Sequence, residues 1–168
     1  MKTLLVLRHA KAKLNSPSGS DFDRPLTGRG HRDSAAIGRQ LLAGNRRVSA
    51  LFASPAVRVV ETVAGVSEGA RLTVAPVWDR RLYNASLETL LEHIREISDE
   101  IGAALIVGHN PGLHQLILDL AEDDHAGLRG EIVGSFPTAT LADLSLSVDD
   151  WRDVAPGCGR LVSLVRPE

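Results

Sequence analysis

Apolar runs alternate with helix-period stretches along the whole chain. Residues 3–7, Thr-Leu-Leu-Val-Leu, are apolar without alternation and predict a buried strand. Ser16-Pro17-Ser18-Gly19-Ser20 predicts a loop. A helix opens at Leu26-Thr27, with Thr27 as N-cap and Ala35, Ala36, Ile37, Leu41 and Leu42 facing inward, and Gly44-Asn45 ends it. Residues 48–53 predict a second strand. Ser54-Pro55 then reads as a cap with proline in the first turn of a helix striped by Val57, Val60, Val63 and Val66. Residues 72–77 predict a third strand, which Pro76 places at an edge or ends early.

Ser86 caps a long amphipathic helix with Leu87, Leu90, Leu91, Ile94, Ile97 and Ile101 inward, stopped by Gly102. Residues 103–107 predict a fourth strand, and Asn110-Pro111 starts a helix through Leu113, Leu116, Ile117 and Leu120. The polar, glycine-spotted stretch 122–135 reads as a surface loop. Residues 138–148 and 160–165 predict two last strands. Such alternation argues for an α/β fold, a three-layer α/β/α sandwich around a mostly parallel central sheet of about six strands. No repeat, low-complexity tract or linker divides the chain, so one domain is expected over residues 1–168.

Composition narrows the partners. At 168 residues the chain buries about 68–70% of its unfolded surface. Hydrophobic residues at 43% and charged residues at 24% exclude a disordered or fibrous chain. The net charge of −2 gives no electrostatic reason to expect a nucleic acid or an anionic membrane as partner. No run approaches the ~18 apolar residues of a membrane helix, and the N-terminus lacks the form of a signal peptide. The single cysteine, Cys158, excludes an internal disulfide or a Cys-rich zinc site and reads as a bystander. A cytoplasmic location is the expectation.

Unusual residues collect where strands end. Strand one runs into Arg8-His9, strand two into Ser54-Pro55-Ala56-Val57-Arg58, and strand four into Gly108-His109-Asn110-Pro111-Gly112. Open α/β sheets bind ligands at the carboxyl ends of their parallel strands. If strands one and four are neighbours, His9 and His109 share that edge. Arg58 stands in the first turn of its helix, where free N–H groups favour an anion. A cationic site in a slightly acidic chain calls for a compact anion such as phosphate. His31, His93, His114 and His125 carry no such placement and are read as structural or surface residues.

These blocks resemble the histidine phosphatase superfamily, the group that includes the phosphoglycerate mutases. Leu7-Arg8-His9-Ala10 resembles its Arg-His-Gly signature, with Ala10 for the usual glycine. Ser54-Pro55-Ala56-Val57-Arg58-Val59-Val60-Glu61-Thr62 resembles its second block, and Val107-Gly108-His109-Asn110-Pro111 its last. Asp23-Arg24-Pro25-Leu26-Thr27-Gly28-Arg29-Gly30 is similar to the mark of its short, SixA-type phosphohistidine phosphatase branch. The resemblance implies a phosphoglycerate mutase-like fold. It implies His9 as nucleophile, with Arg8, Arg58 and a protonated His109 on the phosphoryl group and Arg24 as a supplementary ligand.

The mutase-like glutamate expected after strand three has no clean match in Asp79-Arg80-Arg81-Leu82-Tyr83-Asn84-Ala85-Ser86. Asp21 and Asp23 are the candidate acids, but adjacent arginine should keep them ionised, so their neutralisation should matter little for an N–P bond. No cofactor or metal is expected. The implied activity is a metal-independent phosphatase working through a covalent phosphohistidine, acting on a phosphohistidine protein and releasing inorganic phosphate. A small-molecule phosphomonoesterase and a non-catalytic phosphate-binding module stay open as alternatives. A mutase is disfavoured by the little chain left over for a lid.

Overall fold

The computed structural model describes residues 1–167. In chain order its elements are β1 (Lys2–Arg8), α1 (Gly28–Ala43), β2 (Ala50–Ala53), α2 (Val57–Ala70), β3 (Pro76–Trp78), α3 (Leu87–Arg95), β4 (Ala103–Gly108), α4 (Gly112–Leu120), β5 (Ala121–Asp124), α5 (Leu128–Ile132), β6 (Leu141–Leu146) and β7 (Gly159–Val165). The strands form one sheet in the order β3-β2-β4-β1-β6-β7-β5. Pairing is parallel from β3 through β2 and β4 to β1, and between β7 and β5. β6 runs antiparallel to both of its neighbours.

The uninterrupted apolar runs form the centre of the sheet because both faces are covered. Leu4, Val6, Ala104 and Ile106 pack with Leu90 and Ile94 of α3 and with Leu113 and Ile117 of α4. The intervening Leu5, Leu7, Leu105 and Val107 pack with Ile37 and Leu41 of α1 and with Val59, Val63 and Val66 of α2. Side chains two apart share a face, so one run of leucine and valine serves both cores. The expected three layers follow from this division.

α1 and α2 approach until backbone meets backbone. A Cβ on Gly38 would stand 2.4 Å from the Val66 carbonyl oxygen, and one on Gly69 would stand 2.5 Å from that of Ala35. Only glycine admits such spacing. It sets the seat of α2, the helix that carries Arg58.

Thr27 caps α1 by accepting from the Gly30 N–H at 3.0 Å, and Ser86 caps α3 by accepting from Thr89 at 3.2 Å, both as the sequence predicts. The structure differs elsewhere. The sheet has seven strands, not about six, because the stretch read as a surface loop holds most of β5 and all of α5. β5 is Ala-Glu-Asp-Asp and pairs with β7, and hydrophobicity does not mark it. The third strand is confined to residues 76–78, at the sheet edge as Pro76 suggests. Leu72 and Val74 pack against the core from the connection before it. α3 stops at Arg95; Ile97 is buried beyond its end. In α2 the inward face holds Arg58, Val59, Thr62, Val63 and Val66, whereas Val60 is exposed, as is Leu42 of α1. Among the described residues no helix is long and apolar enough to cross a membrane.

Candidate active site

Strand register assembles the site. Arg8 stands opposite Gly108 in the parallel β1–β4 ladder, so His9 and His109 leave adjacent strands side by side. Their ring centroids are 5.4 Å apart. β2 lies on the other flank of β4, with Ala53 opposite Val107, and this brings Ser54 to His109. All three polar side chains are buried, as is Arg58. Arg8 is half-buried at the end of β1 and donates from one guanidinium nitrogen to the Phe136 carbonyl at 3.1 Å. The Nε atoms of Arg8 and Arg58 are buried with no hydrogen-bond partner among the described residues.

The tautomer of His9 follows from its neighbour. Its Nδ1 lies 2.7 Å from the Ala10 carbonyl oxygen, which can only accept. Nδ1 therefore carries the proton, and the lone pair sits on Nε2. Burial, foremost, and the charges of Arg58, Arg8 and Arg24 bring the His9 pKa down to about 4. The arginine charges lower it, but loss of water around the ring acts more strongly. Ala10 is itself held, since its N–H donates to Thr62 Oγ1 at 3.0 Å and that hydroxyl donates to the Arg58 carbonyl at 2.7 Å.

The state of His109 follows from its surroundings. Its pKa is lowered to about 3, by burial first and then by Arg58 and His9, so the ring is neutral in this structure rather than protonated. An Arg58 amino group, a donor only, lies 3.2 Å from His109 Nδ1. The proton therefore belongs on Nε2, which donates to Ser54 Oγ at 2.8 Å. Ser54 Oγ also accepts from the Ala56 N–H at 3.3 Å, while the N-cap of α2 is Ala56, which has no capping side chain.

Asp21 stands at the rim, its side chain 49% exposed. Its Oδ2 accepts from Arg58 at 3.0 Å and from the Tyr83 hydroxyl at 2.6 Å, while Oδ1 accepts from Arg24 Nε at 2.9 Å. The Asp21 backbone carbonyl accepts a further Arg58 bond at 2.8 Å. The Tyr83 bond, and then Arg24 and Arg58, hold the carboxyl well below the usual carboxylate range. Arg24 also donates to the Lys13 carbonyl at 2.7 Å, which fixes it beside Asp21. Asp23 is not drawn into this network; it accepts from Ser18 Oγ within its own loop.

Sequence reasoning named Arg8, His9, Arg24, Arg58, His109 and Asp21, and the structure brings these together. It passed over Ser54, Thr62 and Tyr83 as site residues. Tyr83 comes from the loop where the glutamate was sought; its ring stands edge-on to His109 at 5.3 Å. The other histidines have local roles. His93 is buried edge-on against Phe52, and His114 meets the Ile132 carbonyl. Cys158, a free thiol, precedes β7 at the end of the sheet remote from His9. Among the described residues no group of three His, Cys, Asp or Glu side chains could hold a metal ion.

Known proteins resemble this chain in sequence and in fold. An uncharacterized protein of Mycobacterium tuberculosis is 36% identical over 166 residues, covering 96% of this chain and 99% of the relative. One of Mycobacterium leprae is 32% identical over 171 residues, with the same coverage. A SixA protein structure from Agrobacterium tumefaciens superposes with a TM-score of 0.81 at 27% identity, over 99% of this chain and 98% of that one. The protein histidine phosphatase SixA in complex with tungstate gives 0.80 at 22% identity over 98% and 97%, a likeness of fold. The model of the histidine phosphatase superfamily (branch 1) matches residues 4–100. That span contains Arg8-His9, Arg24 and the block from Ser54 to Thr62, and the β1–β4 register adds His109; the chain belongs to the histidine phosphatase superfamily, branch 1.

Proposed function

We propose that this phosphatase hydrolyses phosphohistidine on a protein, through a phosphohistidine intermediate on His9. The observation that carries the reading is the state of the site's carboxylate. Asp21 is held ionised by Tyr83, Arg24 and Arg58, so it has no proton to give to a leaving alcohol. The loop after β3 supplies Tyr83, itself donating to Asp21, in place of a carboxylic acid. An alkoxide is a poor leaving group without a donor. A phosphorylated imidazole protonated on its other nitrogen leaves as a neutral ring, and imidazole titrates near pH 6.5.

In the proposed reaction the His9 Nε2 lone pair attacks phosphorus in line while the bond to the leaving group breaks with its electron pair. Arg8 and Arg58 stabilise the equatorial oxygens as charge accumulates, with Arg24 in support. The phosphoryl dianion offsets the cationic field around His109 and favours a proton on its Nδ1, which then donates to oxygen. Water hydrolyses the intermediate and releases inorganic phosphate. The names of the SixA structures are consistent with a protein substrate, as is the open rim around Asp21.

The test compares kcat/KM on a phosphohistidine protein, an aryl phosphate and an alkyl phosphate, with EDTA present. The phosphohistidine protein should be turned over fastest and the alkyl ester slowest. An alkyl ester in first place establishes a small-molecule phosphomonoesterase instead, and no turnover of any of the three leaves a phosphate-binding module.

A further inference from the structure

We propose that Asp21 selects the leaving group by accepting the N–H of a protonated phosphohistidine ring. The proposal rests on the function proposed above and names a residue that discriminates among its substrates. It replaces the sequence-based expectation that neutralising Asp21 matters little.

The depth of the groups fixes the direction of departure. His9 forms the floor, 7% exposed, and the half-exposed Asp21 stands at the rim. Arg58 spans the interval, touching His109 Nδ1 and Asp21 Oδ2 with one amino group. In-line displacement expels the leaving group on the side of phosphorus opposite the attacking nitrogen. A nucleophile on the floor therefore drives the leaving group outward, into the layer where Asp21 stands.

Asp21 has a bonding position to spare. A carboxylate offers about four acceptor sites. Arg58 and the Tyr83 hydroxyl take two on Oδ2, and Arg24 takes one on Oδ1. The fourth, on Oδ1, suits the far N–H of an imidazolium. The Tyr83 ring, braced edge-on by Phe22 at 5.0 Å, supplies an aromatic wall beside it. The charged and titratable groups around Asp21 are Arg24 on its own loop, Arg58 from α2, Tyr83 after the turn Arg80–Leu82, His109 beyond β4, and Arg80 stacked 4.7 Å over the Phe22 ring. Asp21 is the negative charge in that company. It favours the protonated, cationic ring of a bound phosphohistidine and repels a leaving group that bears a carboxylate.

The step balances without a proton transfer. The substrate P–N bond breaks and its electron pair stays on the ring nitrogen. The His9 Nε2 pair forms the new P–N bond. The N–H held by Asp21 remains on the departing ring, which leaves neutral.

The test measures kcat/KM against pH for a phosphohistidine peptide and an aryl phosphate, in the native protein, Asp21→Asn and Asp21→Glu. Both variants loosen Arg58, and that shared loss cancels in the ratio between the two substrates. In Asp21→Asn the ratio should fall ~tenfold and the basic limb of the phosphohistidine profile should move down by about one pH unit. Asp21→Glu should restore part of both. Asp21→Ser reads the same two quantities should the amide fail to fold. Parallel losses on the two substrates with an unmoved basic limb overturn the proposal and leave Asp21 as a support for Arg58. A native protein that hydrolyses the aryl ester but not the peptide overturns the proposed function itself, and the proposal with it.

Discussion

His9 and Thr62 are joined through one intervening residue. Ala10 accepts from His9 Nδ1 through its carbonyl and donates to Thr62 Oγ1 through its amide. The hydroxyl of Thr62 continues to the Arg58 carbonyl, so the proposed nucleophile and the proposed phosphate ligand hang on one short chain of bonds. Thr62→Val keeps the shape and removes the acceptor. It leaves the buried Ala10 N–H unpaired, which costs about 1–3 kcal/mol of stability. Chemical denaturation should show that loss, and kcat should fall more than KM changes, because His9 is no longer held square to phosphorus.

His9→Ala should abolish turnover while far-UV circular dichroism stays that of the native fold. Rapid quench of the native enzyme should trap acid-labile, base-stable phosphate on His9. Turnover near the native rate in the alanine variant would remove His9 as nucleophile.

Arg8→Ala and Arg58→Ala should each lose about 2.7–4 kcal/mol of transition-state stabilisation, the scale of a deleted oxyanion donor. Vanadate should bind both variants poorly. The loss should be larger for Arg58, which is 3% exposed and also seats Asp21 and His109. Equal vanadate affinity in Arg58→Ala and the native protein contradicts its place on the phosphoryl group.

The two site histidines should make stability depend on acid. Their pKa values lie near 4 and 3 in the folded protein and about 6.5 in an unfolded chain. Below about pH 6.5 the unfolded chain binds the extra protons, so stability is full above that pH and falls on acidification. Each ring contributes up to about 1.4 kcal/mol per pH unit until its own folded pKa is reached. Denaturation midpoints between pH 7 and 4 should flatten in His109→Gln. Histidine resonances of the native protein should show two rings that stay neutral at pH 5.

Gly38→Ala should destabilise by about 1–3 kcal/mol, because its methyl would meet the Val66 carbonyl at 2.4 Å. Helix α2 must move aside, carrying Arg58 with it. Activity should therefore fall although Gly38 lies outside the site, and native kcat in this variant would show that the helix pair yields without disturbing Arg58.

The central strands were legible because burial on both faces demands unbroken apolar runs, and the functional residues follow where those runs stop at His9 and His109. β5 was illegible because Ala-Glu-Asp-Asp carries no apolar run; it is placed by its ladder with β7. Ser54 was read only as a helix cap; its hydroxyl does accept from the Ala56 N–H, and only strand proximity reveals that it also accepts from His109. Tyr83 was in view as part of the loop after β3, yet a search for a carboxylic acid passes over a phenol. Its bond to Asp21 spans 62 residues and leaves no periodic trace.

The Ala10 carbonyl keeps a proton on the far nitrogen of His9, and a phosphorylated His9 would keep it too. In the proposed reaction the captured phosphoryl group then sits on a cationic imidazole, the same chemical species as the protonated phosphohistidine it came from. Exchange between two like bonds is close to thermoneutral, so the enzyme and its protein substrate trade the group as equals and in both directions. Only water makes the traffic one-way. On the same proposal, a half-open rim wide enough for a bulky partner also admits that water, and the lifetime of the shared phosphoryl group is set by how soon the departing protein clears the entrance.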